Sequence, residues 1–296
     1  MRIADHGRFP YRAIRDGVRE RWPNGAGLAV YLGLNFEHFS FGEGLGAALA
    51  PGGPQPDVLN YAWREYGNRV GGWRLLDLLE TLSLPATVLL NASILDHCPG
   101  LADAFAARGD EIAGHGRTNA ERQSDLPEDE ERALIAEATG RITDDFGRAP
   151  SGWLGPWIAE SIRTPDLLKE AGYDYLLDWC HDDQPTWFAT TQGPILSVPY
   201  PEEVNDIPAI AVRRASAAEF ADMIVDQFDE MLEQSDSESL VMGIALHPYI
   251  VGQPFRLRHL RRALGHIARH RDRVWPTTAA EIARAWAAME PPPTSS

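Results

Sequence analysis

The chain has 296 residues, of which 44% are hydrophobic and 9% aromatic, a globular composition long enough for one large α/β domain or two smaller ones. Its formal net charge of -16 repels phosphate backbones and anionic lipid, which argues against a nucleic-acid or membrane-surface role. Two cysteines, Cys98 and Cys180, are too few and too far apart to frame a disulfide-stapled fold, so reduced thiols are expected.

From the amino end, residues 1–16 are polar and carry Arg2, Arg8, Arg12 and Arg15 without an apolar core. No secretory signal is expected, and a cytoplasmic location is. The longest apolar run, residues 28–34, falls far short of the ~18 residues of a membrane helix. It follows Pro23-Asn24-Gly25 and reads as a strand over 28–35, buried on both faces and ending at the polar pair Glu37 and His38. The Gly- and Pro-rich stretch 42–56 is a long loop, of the kind that serves function in compact domains. Val70, Trp73, Leu76, Leu79 and Leu82 predict a helix over 69–82 with one buried face. A second buried strand follows at 86–91, then a helix at 101–108, a short strand at 111–114 and a long helix within 127–146. Further strands are predicted at 152–154, 175–179, 195–199 and 240–246, with helices at 164–171, 217–234, 257–270 and 278–288. In the last but one of these helices, Leu257, Leu260, Leu264 and Ile267 form the buried stripe, so Arg258, Arg261, Arg262 and Arg269 take the solvated faces. The alternation predicts a mainly parallel sheet with helical crossovers, and no repeat or linker divides the chain.

In parallel α/β folds the reacting groups gather at the carboxyl ends of strands. Here those ends carry Glu37 with His38, then His115, then Asp178 followed by His181, Asp182 and Asp183, and finally His247. A carboxylate and several imidazoles on one rim form the inventory for general acid–base hydrolysis, with or without a metal. One strand-end histidine is most simply structural; four loaded ends together point to chemistry.

These segments resemble the motifs of the NodB-type polysaccharide deacetylase superfamily, and especially its allantoinase-like branch. Leu34-Asn35-Phe36-Glu37-His38 falls where the family has its acid-rich first motif, and Glu111-Ile112-Ala113-Gly114-His115-Gly116 resembles the second, histidine motif. Gly152-Trp153, with Arg148 and Pro150 before it, resembles the third. Asp178-Trp179 with the stretch Asp182-Asp183-Gln184-Pro185-Thr186-Trp187 resembles the fourth, and Leu246-His247 with Ile250-Val251-Gly252-Gln253-Pro254 the fifth. The stretch 66–71 (Tyr66-Gly67-Asn68-Arg69-Val70-Gly71) and Pro199-Tyr200 with Asn205-Asp206 are similar to segments shared within the allantoinase-like branch. The resemblance implies a distorted (β/α) barrel of the NodB type as a single domain, with residues 1–25 as an extension, 26–288 as the barrel and 289–296 as a disordered tail. It also implies a homo-oligomer.

The resemblance assigns Glu37 as the general base that takes a proton from attacking water, and His247 as the acid that protonates the departing nitrogen. His115 would hold a metal or hydrogen-bond the substrate carbonyl, and Asp183 would orient a catalytic side chain. Arg69, Trp153, Trp157, Trp187 and Asn205 are the expected substrate contacts, through a guanidinium fork, flat aromatic walls and a polar amide. The family's sugar deacetylases hold a divalent ion with an aspartate and two histidines at i and i+4; here those places are His38, His115 and Asn119. An amide is a weak ligand for zinc, so either a single divalent ion, zinc first, or no metal at all is compatible with the residues. The function these readings imply is hydrolysis of a carbon–nitrogen bond in a small cyclic amide, an imide ahead of allantoin. N-deacetylation of an amino sugar or other small amide is the second reading, and a non-catalytic metabolite- or carbohydrate-binding relative the third.

Overall fold

The computed structural model describes residues 3–42 and 46–293; positions 43–45 of the expected loop and 294–296 of the expected tail lie outside the described residues. Strand β1 (Leu28–Phe36) is buried along its whole length, as an unbroken apolar run requires when both faces of a sheet are covered. On one side it pairs in parallel with all of β8 (Leu240–Leu246). On the other side two strands share the slot: β9 (Val274–Thr277) pairs with Leu28 to Tyr31, and β2 (Thr87–Leu90) with Gly33 to Phe36. The sheet continues in parallel through β3 (Glu111–Gly114), β4 (Gly152–Trp153), β5 (Tyr175–Leu176) and β7 (Ile195–Ser197), and ends on β6 (Thr186–Phe188), antiparallel to β7. It curls into the distorted (β/α) barrel that the sequence implied.

The crossovers are helical. Helices α1 (Val58–Tyr66) and α2 (Gly72–Leu82) run into one another through a π-helical turn at Gly67–Gly71; then come α3 (Ile94–His97), α4 (Pro99–Ala107), α5 (Glu128–Phe146), α6 (Thr164–Glu170), α7 (Ala217–Gln234), α8 (Pro248–Val251), α9 (Pro254–Arg269) and α10 (Ala279–Met289). Local chemistry sets several boundaries: Ser216 and Glu219 form a reciprocal cap at the start of α7, and Gly147 ends α5 in the left-handed conformation. The stripe Leu257, Leu260, Leu264 and Ile267 of α9 is buried and its arginines face outward, as expected.

Side chains alternate across β1 with the period of two of an extended chain. Leu28, Val30, Leu32, Leu34 and Phe36 pack outward against the helices, while Ala29 and Tyr31 pack inside the barrel with Leu89, Leu154, Tyr175 and Tyr200. The extension before β1 belongs to the fold. Trp22 is buried against Trp275 and Trp286 and donates to the Leu240 carbonyl at 2.9 Å, and Arg8 pairs with Asp166 at 2.9 Å. Two residues of the expected disordered tail are ordered, because Met289 completes α10 and Glu290 pairs with Arg12 at 2.5 Å. Strands β6 and β9 and helix α1 add to the predicted elements. Among the described residues no helix is long and apolar enough to cross a membrane.

Candidate active site

The parity of β1 carries past its last paired residue. Asn35 lies on the interior face and its amide donates to the Tyr200 hydroxyl at 2.9 Å; Glu37, two residues on, enters the barrel mouth. One Glu37 oxygen, Oε1, accepts a hydrogen bond from the Asn119 amide at 2.6 Å and lies 3.7 Å from His115 Nε2 and 3.6 Å from His247 Nε2. The other, Oε2, is buried without a partner. His115 leaves the end of β3, and its Nδ1 meets the Leu154 carbonyl at 2.7 Å. A carbonyl only accepts, so Nδ1 carries the hydrogen and neutral His115 presents a bare acceptor at Nε2, itself buried and unpartnered. His247 leaves the end of β8. Asp206 grips it twice, accepting from its backbone N–H at 2.8 Å and from ring Nδ1 at 2.6 Å, which aims Nε2 at Glu37.

Asp206, His247 and Glu37 thus form a buried line of charge. Burial pushes the His247 imidazole down, but the carboxylates of Asp206 and then Glu37 outweigh it and raise its pKa to about 10. Burial likewise pushes Glu37 up, and the neighbouring His247 charge overrides it, holding the carboxyl at about 2. At neutral pH Glu37 is ionised and His247 protonated, and the two titrate as one unit.

Around them lies a cavity of about 390 Å³ walled by Phe39, Leu154, Trp157, Ile158, Tyr200 and Tyr249, within the range of small-ligand sites. The Tyr66-to-Gly71 stretch supports it from behind. Asn68 donates to the Glu37 backbone carbonyl at 3.0 Å, and a Cβ at Gly67 would stand 2.7 Å from the Tyr249 amide nitrogen, so glycine lets this turn press directly on the segment after His247. On the facing side, the loop after β4 is pinned where the Gly155 N–H donates to Asp178 at 2.7 Å. Asp178 is a close neighbour of Glu160, whose Oε2 accepts from the Trp179 indole at 2.8 Å. Burial raises both carboxyls, Glu160 to about 7, so this acid pair favours holding a proton.

The structure brings Glu37, His115, Asn119, Trp157, Asn205 and His247 to one cavity. The other expected residues stand elsewhere, for identifiable reasons. His38 has the opposite parity to Glu37; its ring stacks on His97 at 4.3 Å and its Nδ1 meets Ser93 at 3.0 Å. Asp183 is exposed at the amino end of β8, where its carbonyl accepts from Val241, and the residue that orients His247 is Asp206. Arg69 is exposed on the π-helical turn, which serves the site through Asn68. Trp153 is wholly buried in the core with its indole on Gln123 at 3.1 Å. Trp187 donates to the Glu290 carbonyl at 2.9 Å and lines a different cavity with Tyr175 and Ala283. Sequence reasoning noted Asn68 and Asp206 only within similar stretches and missed Glu160 and Tyr249.

The expected ligand set does not fit a divalent ion. His38 turns away, and Asn119 is spent between Glu37 and Asn91, whose amide it accepts at 3.1 Å. His247 is held in its protonated form by Asp206, which leaves His115 Nε2 and Glu37. Among the described residues no three His, Cys, Asp or Glu side chains are grouped to hold a metal.

The family model for polysaccharide deacetylase matches residues 65–176. That stretch, and with it over a third of the chain, is similar to a polysaccharide deacetylase domain. A Schizosaccharomyces pombe protein described as a polysaccharide deacetylase is 27% identical over 303 residues, covering 91% of this chain and 93% of that one. Among solved structures, PuuE allantoinase is similar with a TM-score of 0.82 and 27% identity, over 96% of this chain and 99% of that one. A polysaccharide deacetylase of Pseudomonas aeruginosa PAO1 is similar with a TM-score of 0.84 and 28% identity, over the same shares. The site itself holds a carboxylate and two imidazoles within 4 Å of one another, groups able to exchange protons.

Proposed function

We propose that this chain opens a small cyclic amide, an imide or ureide ring, by water attack on a ring carbonyl. The observation that carries the reading is the buried line Asp206, His247 and Glu37 at the foot of a cavity sized for a small flat molecule. Water has two hydrogens, and the unpartnered acceptors Glu37 Oε2 and His115 Nε2 suit them. Glu37 takes one proton as the oxygen bonds to the carbonyl carbon, and His115 accepts a hydrogen bond from the other. The tetrahedral intermediate collapses, the ring carbon–nitrogen bond breaks, and His247 Nε2 delivers its proton to the departing nitrogen, which would otherwise leave as an unstable anion. The likeness to PuuE allantoinase supports a ring substrate, and Phe39, Trp157 and Tyr249 supply flat walls.

The test follows ring opening by ultraviolet absorbance with succinimide, hydantoin, dihydrouracil and allantoin, comparing the wild type with Glu37→Gln and His247→Ala. Turnover of at least one ring, abolished in both folded variants, is expected. Silence on every ring together with release of acetate from an N-acetylated amine would replace ring opening by deacetylation.

A further inference from the structure

The loop after β4 is built in a way that folding alone does not explain. Trp157 and Ile158 both have positive φ, 70° and 53°, a left-handed conformation that is rare for bulky and β-branched side chains and needs the surroundings to impose it. The surroundings do so. The Gly155 N–H is held by Asp178, a Cβ at Gly155 would lie 2.9 Å from the Asp178 carboxylate, and the Ile158 N–H closes back onto the Gly155 carbonyl at 2.9 Å. The Arg122 guanidinium sits over the Trp157 ring at 5.2 Å and fixes its plane. What this arrangement delivers to the cavity wall is an indole whose Nε1 is buried with no hydrogen-bond partner. A buried donor left unpaired in a native structure needs a reason, and the strain and the orphaned N–H fall on one residue of the site.

We propose that Trp157 is a specificity-determining residue of this site, its indole N–H reserved for a second carbonyl of the substrate, so that the site selects rings in which the scissile amide is flanked by another carbonyl, as in an imide or ureide. This rests on the ring-opening reading above and deepens it. Glu37, His115 and His247 are occupied with water and the leaving nitrogen, and none of them can donate to a second acceptor while doing that work. Trp157 has one hydrogen to give and no acceptor to give it to. A ring with a single carbonyl leaves it unpaired, and a ring with two satisfies it.

The experiment compares wild type, Trp157→Phe, which keeps the flat wall and removes the N–H, and Trp157→His, which restores a ring N–H in a residue that tolerates the left-handed conformation better than most. The readouts are kcat and KM for succinimide, the inhibition constant of the one-carbonyl ring 2-pyrrolidinone, and the thermal midpoint. Trp157→Phe is expected to raise KM for succinimide by about tenfold to a hundredfold with kcat within about threefold, while the 2-pyrrolidinone constant and the thermal midpoint stay put; Trp157→His is expected to recover part of the loss. An unchanged KM, or equal losses for succinimide and 2-pyrrolidinone, would overturn the proposal and leave ring opening standing. A wild type that opens no ring would overturn both.

Discussion

Asp206→Asn keeps the shape of the side chain that orients His247 and removes its charge. Two unit charges about 4 Å apart at an effective dielectric near 20 interact by about 4 kcal/mol, which is about 3 pKa units. Asp206 is the first of the groups that raise His247 against burial, and the imidazole stands at about 10; without that charge it falls to about 7 on this arithmetic. The sign follows: the acid must be protonated to work, so its loss appears on the alkaline side. At pH 9 roughly nine-tenths of wild-type His247 carries its proton against about one-hundredth in the variant, whereas at pH 6 both are almost fully protonated. The amide also cannot accept from both the backbone N–H and Nδ1 of His247, which adds a loss of orientation that does not depend on pH. The assay is kcat/KM for a turned-over ring from pH 6 to 10. The expected result is a basic limb moved down by about three units and a variant defect that grows by nearly a hundredfold from pH 6 to pH 9. Parallel profiles, with one limb shared by both proteins, would refute the charge line from Asp206 to Glu37.

Glu37→Gln should lower kcat by about 10² to 10⁴ with little change in unfolding midpoint, and near-normal turnover would remove Glu37 from the base role. Asn68→Ala, which frees the Glu37 carbonyl from its 3.0 Å bond, should cut turnover severalfold, and exposed Arg69→Ala should not; the reverse ranking would return the guanidinium to the site. Burial holds Glu160 up at about 7, so the folded state binds a proton that the unfolded chain releases near its ordinary value. That contribution is present at acid pH and is lost as pH rises towards 7. Urea unfolding at pH 5 and pH 8 should therefore show a smaller loss of stability in Glu160→Gln than in the wild type, and equal losses would contradict the acid pair. Dialysis against a strong chelator should leave turnover intact because His38 and Asn119 are turned to other partners; activity lost there and restored by zinc would show that the site rearranges to bind it.

The barrel and the meeting of Glu37 and His247 at its mouth were legible because they are written in local pattern: unbroken apolar strands, helical stripes and polar residues just past them. His38 could have been placed from the same information. Two adjacent residues of an extended strand cannot share a face, so a buried Glu37 already sends His38 outward, and matching both to a motif overrode that parity. Asp206 was harder, since nothing in the spacing of residues 206 and 247 says that one carboxylate will hold both the amide and the ring of a histidine 41 positions away. Asp183 attracted the role by sitting in an acidic cluster beside a strand, yet the turn carries it to the amino end of β8. Trp153 and Trp187 show that aromatic residues near a motif do not choose between core and cavity by composition. β9 escaped notice because Pro276 interrupts Val274–Thr277 and its pairing depends on β1, far away in sequence.

The slot beside β1 that β9 and β2 divide has a bearing on how the protein is made. The strand that leads into Glu37 is made well before the residues that cover it, and the edge of its lower half, Leu28 to Tyr31, is completed only by Val274–Thr277. During most of synthesis that strand has an unpaired edge of apolar sequence, the kind that invites pairing with other chains. A product clipped before Val274 would keep Glu37 while losing the strand that covers the Leu28 to Tyr31 edge.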